Sequence, residues 1–173
     1  MPRLILMRHA KSSWAEPDRD DFDRPLAPRG RKTAVAVARA LAARRLLPQR
    51  LVASSARRSR DTLAAMLPFL DDDADIRLTR DLYMTSEDHH IDVIRASGGG
   101  ARALMLIGHN PSLQDLALVL AGTGAAREAL RKDFPTAAVA IIDFATPRWT
   151  DIEPGEGELA AFLTPHGLKH ERA

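Results

Sequence analysis

Six short aliphatic runs divide the chain, at residues 4–7, 51–53, 76–78, 103–107, 139–144 and 159–163. Apart from Arg77 and Asp143 they are apolar throughout, and all are too short for helices, which is how strands buried on both faces read. Longer stretches at 29–45, 59–70, 87–96 and 112–121 carry apolar residues at three- and four-residue intervals, the period of a helix with one buried face. Strand and helix in alternation predict βαβ units. The expected fold class is therefore α/β, a three-layer α/β/α sandwich around a mostly parallel central sheet.

The last two runs break that rhythm. Between them lies "TPRWTDIEPGEGE", with Pro154-Gly155 and Gly157 but no helical period, so a hairpin-like return is predicted and the sheet is expected to end in an antiparallel pair. "DDDAD" (71–75) reads as a solvated loop after a helix. "GGG" (98–100) reads as a helix stop, because these glycines precede a strand, whereas a phosphate loop opens a helix. In "EDHHID" (87–92), His89 and His90 point about 100° apart on a helix, too divergent to share a metal, and both are expected to be exposed. No repeat or linker interrupts the chain, and 173 residues suit one substantial core. Residues 1–173 are expected to form a single domain.

Composition narrows the function classes. Hydrophobic residues at 45% and charged residues at 28% describe a soluble globular chain. The absence of cysteine excludes disulfides, thiolate zinc sites and a cysteine nucleophile, and agrees with a reducing compartment. "LILM" is too short for a signal-peptide core, and no apolar run is long enough to cross a bilayer. A cytoplasmic location without membrane attachment is expected. A net charge of only +2 with 5% aromatics argues against nucleic acid as a partner. The cations are mostly arginine, whose planar fork suits phosphate and carboxylate.

Ligands of open parallel sheets bind beyond the carboxyl ends of the strands. Here the first strand ends in Arg8-His9, the second in Ser54-Ser55 leading to Arg57-Arg58, and the fourth in Gly108-His109-Asn110. An Arg-His pair alone is unremarkable in an arginine-rich chain. Two histidines at strand ends, with cations following the strand between them, predict one pocket for a dianionic oxyanion. Guanidinium forks bind phosphoryl oxygens and stabilise the charge that develops on them during transfer. Phosphate is the expected tenant, with sulfate not excluded by charge alone. Arginine beside the histidines disfavours a metal, and neither metal nor other cofactor is expected.

"LILMRHA", "SSARRSRDTL" and "LMLIGHNPSL" resemble the three signature segments of the histidine phosphatase superfamily, the phosphoglycerate mutase-like proteins of branch 1. "DFDRPLAPRGRKTA" and "FPTAAVAIIDF" further resemble the compact SixA-type phosphohistidine phosphatases. The resemblance implies a phosphoglycerate mutase-like fold. It implies His9 as a nucleophile that takes up the phosphoryl group and Arg8 as a phosphate ligand. The Ser-x-x-x-Arg-x-x-x-Thr pattern selects Arg58 before Thr62 and leaves Arg57 outside. His109 matches the second catalytic histidine, and Arg24 in "DRPL" a substrate-binding residue at the pocket mouth. Ala10 stands where the family commonly has glycine. The glutamate acid of the mutase and ester-cleaving branches has no counterpart, since "RDLYMTSED" offers only Asp81, Glu87 and Asp88, none in the expected motif.

Imidazole is a far weaker base than an alkoxide and leaves phosphorus with little protonation, so the missing acid favours phosphohistidine over phosphate esters. The expected activity is hydrolysis through a phosphohistidine intermediate on His9, with a phosphorylated signalling or phosphotransfer protein as partner. Short loops and no inserted lid between Leu51 and Leu104 favour such a bulky substrate. A small phosphomonoester as substrate, or phosphate recognition without turnover, are the alternatives. Monomer is the default oligomeric state.

Overall fold

Alternate residues of each central strand enter two different cores, which is why the runs are apolar without a break. A computed structural model describes residues 1–170. Its strands are β1 (Arg3–Arg8), β2 (Arg50–Ser54), β3 (Asp75–Thr79), β4 (Ala103–Gly108), β5 (Ala121–Thr123), β6 (Val139–Phe144) and β7 (Gly157–Leu163). Its helices are α1 (Pro28–Ala43), α2 (Arg57–Met66), α3 (Glu87–Ser97), α4 (Ser112–Leu120), α5 (Arg127–Lys132) and α6 (Pro165–His170). The strands form one sheet in the order β3-β2-β4-β1-β6-β7-β5. Only β6 runs against its neighbours.

Leu4, Leu6, Leu104 and Leu106 face one way and pack with Ile94 of α3, Leu116 of α4 and Leu130 of α5. Ile5, Met7, Met105 and Ile107 face the other way and pack with Val37 and Leu41 of α1, Leu63 of α2 and Leu168 of α6. The result is the expected three-layer α/β/α sandwich, with α1, α2 and α6 on one face and α3, α4 and α5 on the other.

Three expectations need correction. β6 and β7 are antiparallel as predicted, but β5 adds a further strand parallel to β7, so the sheet does not end in the antiparallel pair. β5, α5 and α6 span three to six residues, too few for periodicity to reveal. Asp75, placed in the solvated loop by its acidic neighbours, opens β3. His90 is fully buried, not exposed, and its Nδ1 donates to the Ser86 carbonyl at 2.6 Å. It shares the inward face of α3 with Ile91 and Ile94, whereas His89 is exposed as expected.

The glycine stop after α3 has a packing reason. A Cβ on Gly98 would lie 2.0 Å from the Trp149 ring, so only glycine leaves room for the indole packed against the end of the helix.

The pairing of β1 with β4 decides where chemistry can occur. The two are parallel and adjacent, with Arg8 opposite Gly108, and the His9 amide donates to the Gly108 carbonyl at 3.0 Å. The chain leaves β1 for α1 on one face and β4 for α4 on the other. That divergence opens a crevice at the carboxyl edge, as at the switch points of other α/β sheets.

The β1 exit is held from below by α1. Ala27 N–H donates to the Lys11 carbonyl at 2.9 Å, and a Cβ on Gly30 would stand 2.1 Å from that same oxygen. Gly30→Ala is expected to destabilise the fold by about 1–3 kcal/mol, since the overpacked backbone has to move, despite the better helix propensity of alanine. A lowered urea midpoint at unchanged slope is the predicted result; a raised midpoint would show that the contact is not tight.

Candidate active site

A cavity of about 250 Å³ opens over the β1/β4 seam, lined by Arg8, His9, Lys11, Ser12, Trp14, Arg24, Arg58, His109, Asn110 and Thr136. All five residues singled out from the sequence, Arg8, His9, Arg24, Arg58 and His109, therefore meet in one place. The two imidazoles are neighbours, with ring centroids 5.1 Å apart. Arg57 stays outside the cavity, half-exposed beside Asp61 at 4.0 Å.

Partners assign the tautomer of His9. Its Nδ1 lies 2.7 Å from the Ala10 carbonyl, which can only accept, so Nδ1 carries the proton and Nε2 presents its lone pair. Arg58 donates Nε–H to that lone pair at 3.3 Å. The ring is thus oriented with its lone-pair nitrogen toward the guanidinium that faces the cavity. Ala10 does not adopt a positive φ, so alanine in place of the family glycine carries no backbone strain.

His109 is fixed from the opposite side. Its Nε2 lies 2.8 Å from Ser54 Oγ and 3.4 Å from Ser59 Oγ. Ser54 Oγ also accepts from the Ala56 amide. The Nδ1 of the ring is buried without a protein hydrogen-bond partner. Tyr83 packs edge-on against the ring at 5.4 Å between centroids.

The Arg-x-x-x-Thr spacing acquires a physical reason here. One turn after Arg58 on α2, Thr62 Oγ1 donates to the Arg58 carbonyl at 2.7 Å and accepts from the Ala10 amide at 3.0 Å. The helix that presents Arg58 is thereby tied to the loop that presents His9.

Sequence reasoning missed Asp21. Its carboxylate accepts from Arg58 Nη2 at 3.0 Å and from the Tyr83 hydroxyl at 2.8 Å, its carbonyl accepts from Arg58 Nη1 at 2.6 Å, and Arg24 Nε lies 3.2 Å away. Burial works against the charged carboxyl, yet the Tyr83 hydrogen bond and the Arg58 and Arg24 charges outweigh it and hold Asp21 below the usual carboxylate range. The only signal was position, three residues before Arg24 in a quoted motif. Tyr83 gave none.

Comparison with known proteins agrees with the geometry. The family model of the histidine phosphatase superfamily (branch 1) matches residues 4–83. An uncharacterized protein of Mycobacterium tuberculosis is 38% identical over 164 residues, 92% of this chain and 99% of that protein. A SixA structure from Agrobacterium tumefaciens, itself only inferred to be a phosphohistidine phosphatase, superposes with TM-score 0.79 at 30% identity over 95% of this chain and 99% of that one. The chain belongs to the histidine phosphatase superfamily, branch 1, and is of the SixA type. A protein histidine phosphatase SixA complexed with tungstate shares the fold at TM-score 0.77 and 19% identity, over 96% of this chain and 99% of that one. The architecture is that of the phosphoglycerate mutase-like members, and phosphatase activity follows from membership. Among the described residues no helix is long and apolar enough to cross a membrane.

In this histidine phosphatase both site imidazoles are neutral at physiological pH. Burial first, then the charges of Arg58, Arg8 and Arg24, push His9 down to about 3 despite the hydrogen bond to Ala10. Burial and the neighbouring His9 and Arg58 push His109 down to about 3. A neutral imidazole is what nucleophilic attack requires.

The sign of the pH effect follows. Between the ordinary histidine value of about 6.5 and the folded value, the unfolded chain binds protons that the folded chain refuses, so stability falls as pH drops through that window. Imidazole NMR of the free protein is expected to show His9 untitrated from pH 8 to 5, and the urea midpoint to decline from pH 6.5 to 4.5. A His9 midpoint near 6.5 would contradict the burial of its lone pair among cations.

Proposed function

We propose that the chain acts as one domain that removes a phosphoryl group from phosphohistidine on a signalling or phosphotransfer protein. The observation that carries this reading is the missing acid. No Asp or Glu lines the cavity, and Asp21, the carboxylate bound to its guanidiniums, is held ionised. Asp81 is occupied by Thr79 at 2.7 Å and sits beside His89 and Arg77. An ester oxygen leaving as alkoxide would find no carboxylic acid here to protonate it. A phosphorylated imidazole protonated on its other nitrogen leaves as neutral imidazole and requires none.

The steps follow from the atoms present. The His9 Nε2 lone pair attacks phosphorus in line, forming a P–N bond while the substrate P–N bond breaks and its electron pair returns to the departing ring. Arg8, Arg24, Arg58 and His109 hold the phosphoryl oxygens, stabilising charge as it spreads over them. Phospho-His9 keeps the Nδ1 proton bonded to Ala10, so it is itself a good leaving group. Water then adds its oxygen to phosphorus, the P–N electrons return to Nε2, and both water protons leave on the product as dihydrogen phosphate.

His9→Ala is expected to abolish turnover of a phosphohistidine peptide and the acid-labile phosphoenzyme trapped from the wild type. Arg58→Ala should lower kcat by about 10²–10³-fold, the effect of removing one oxyanion donor. A P–N substrate should exceed an alkyl phosphate by about 10²–10⁴-fold in kcat, the usual worth of an acid catalyst. Equal rates on the two would overturn the phosphohistidine assignment and leave a general phosphomonoesterase.

A further inference from the structure

Trp14 lines the cavity and yet is 70% exposed, an unusual position for the largest apolar side chain in a chain with two tryptophans. Its placement is built by a short ribbon. Ser12 bridges Leu26 in antiparallel register, Ser13 N–H donates to the Pro25 carbonyl at 2.8 Å, and Ala27 N–H to the Lys11 carbonyl at 2.9 Å. Continuing that register puts Trp14 directly opposite Arg24, where cross-strand side chains meet. The Arg24 guanidinium carbon stands 3.4 Å from the indole centroid, and its Nη2 donates to Ser12 Oγ at 3.0 Å.

Arg24 itself is 7% exposed; its Nε is paired with the Asp21 carboxylate at 3.2 Å, while Nη1 lacks a hydrogen-bond partner. A donor buried without a partner is costly, and in this cavity its natural acceptor is a phosphoryl oxygen. A phosphoryl group held there brings its fourth substituent, the leaving group, toward the mouth. At that mouth the indole offers a flat apolar surface braced from behind by a cation and open in front. Its ring adds no proton donor that an alkoxide could use, but it can stack against another ring.

We infer that Trp14 forms a platform for the aromatic ring that departs, so that the site selects for a phosphoryl group carried on imidazole or another flat ring. This rests on the phosphatase activity and deepens the phosphohistidine reading by naming the residue that meets the ring. Trp14 acts in specificity. The phosphoryl chemistry stays with the residues beneath it.

The test compares substrates that share a bond and differ in the ring. Wild type, Trp14→Ala and Trp14→Phe are assayed with N-phosphoimidazole against phosphoramidate, and with phenyl phosphate against methyl phosphate. Trp14→Ala is expected to lower the ring-to-ringless ratio of kcat/KM by about five- to tenfold, the worth of one aromatic contact, and Trp14→Phe to restore most of it. Equal losses on both members of a pair would show that Trp14 only braces Arg24 and would overturn the platform. An unchanged ratio overturns it as well. Should the wild type cleave only the two P–O compounds, the phosphohistidine reading fails by itself, and the phenyl-to-methyl ratio still decides the role of Trp14.

Discussion

The parallel register between β1 and β4 is the constraint on which the site depends. It sets Arg8 beside Gly108, so that the next residue of each strand is a histidine and the two rings stand 5.1 Å apart. Neither imidazole is brought there by a flexible loop. Main-chain hydrogen bonds of a sheet buried on both sides fix the first residue beyond each strand, and side chains on those residues inherit that precision. Because the following helices diverge to opposite faces, the seam stays open to an anion at the same edge.

Electrostatics then separates the roles of like residues. Three guanidiniums, from Arg8, Arg24 and Arg58, face one cavity; the charge of Asp133 acts on Arg8, and Asp21 at the cavity edge offsets the charges of Arg24 and Arg58. That carboxylate also takes the Tyr83 hydroxyl, and Tyr83 in turn packs on His109. The cationic wall is thus braced from outside the pocket, while the imidazoles inside are kept uncharged by burial. A phosphoryl dianion entering this space meets positive charge already arranged, with little reorganisation to be done at the moment of transfer.

Much of this was legible in the sequence because two physical signals are local. Continuous apolar runs mark strands that feed two cores, and helical spacing marks α1 to α4. Cations and imidazoles at strand ends mark the edge where a ligand binds. What escaped was set by tertiary context. Asp21 matters through the chain fold that lays its loop across α2, and Tyr83 through a ring contact with a residue on β4's far end. His90 reads as polar in any linear scan, yet it lies on the inward face of α3 with one nitrogen satisfied by Ser86. β5, α5 and α6 are too brief for any periodicity to stand out. The difference between Arg57 and Arg58 shows the limit well: they are adjacent and identical, and only the family spacing to Thr62 separated them before the Thr62 bridge to Ala10 supplied the cause.

The hydrogen bond from Arg58 to His9 bears on how an anion enters and leaves the cavity. In the free protein His9 Nε2 is already satisfied by Arg58 Nε–H, and the rest of that guanidinium rests on Asp21. An arriving anion therefore displaces a resident partner, and its affinity is the difference between two satisfied states. The same exchange runs backward when phosphate departs, since the guanidinium has a place to return to and no bare cation is left behind. Such a pocket trades tight grip for easy emptying.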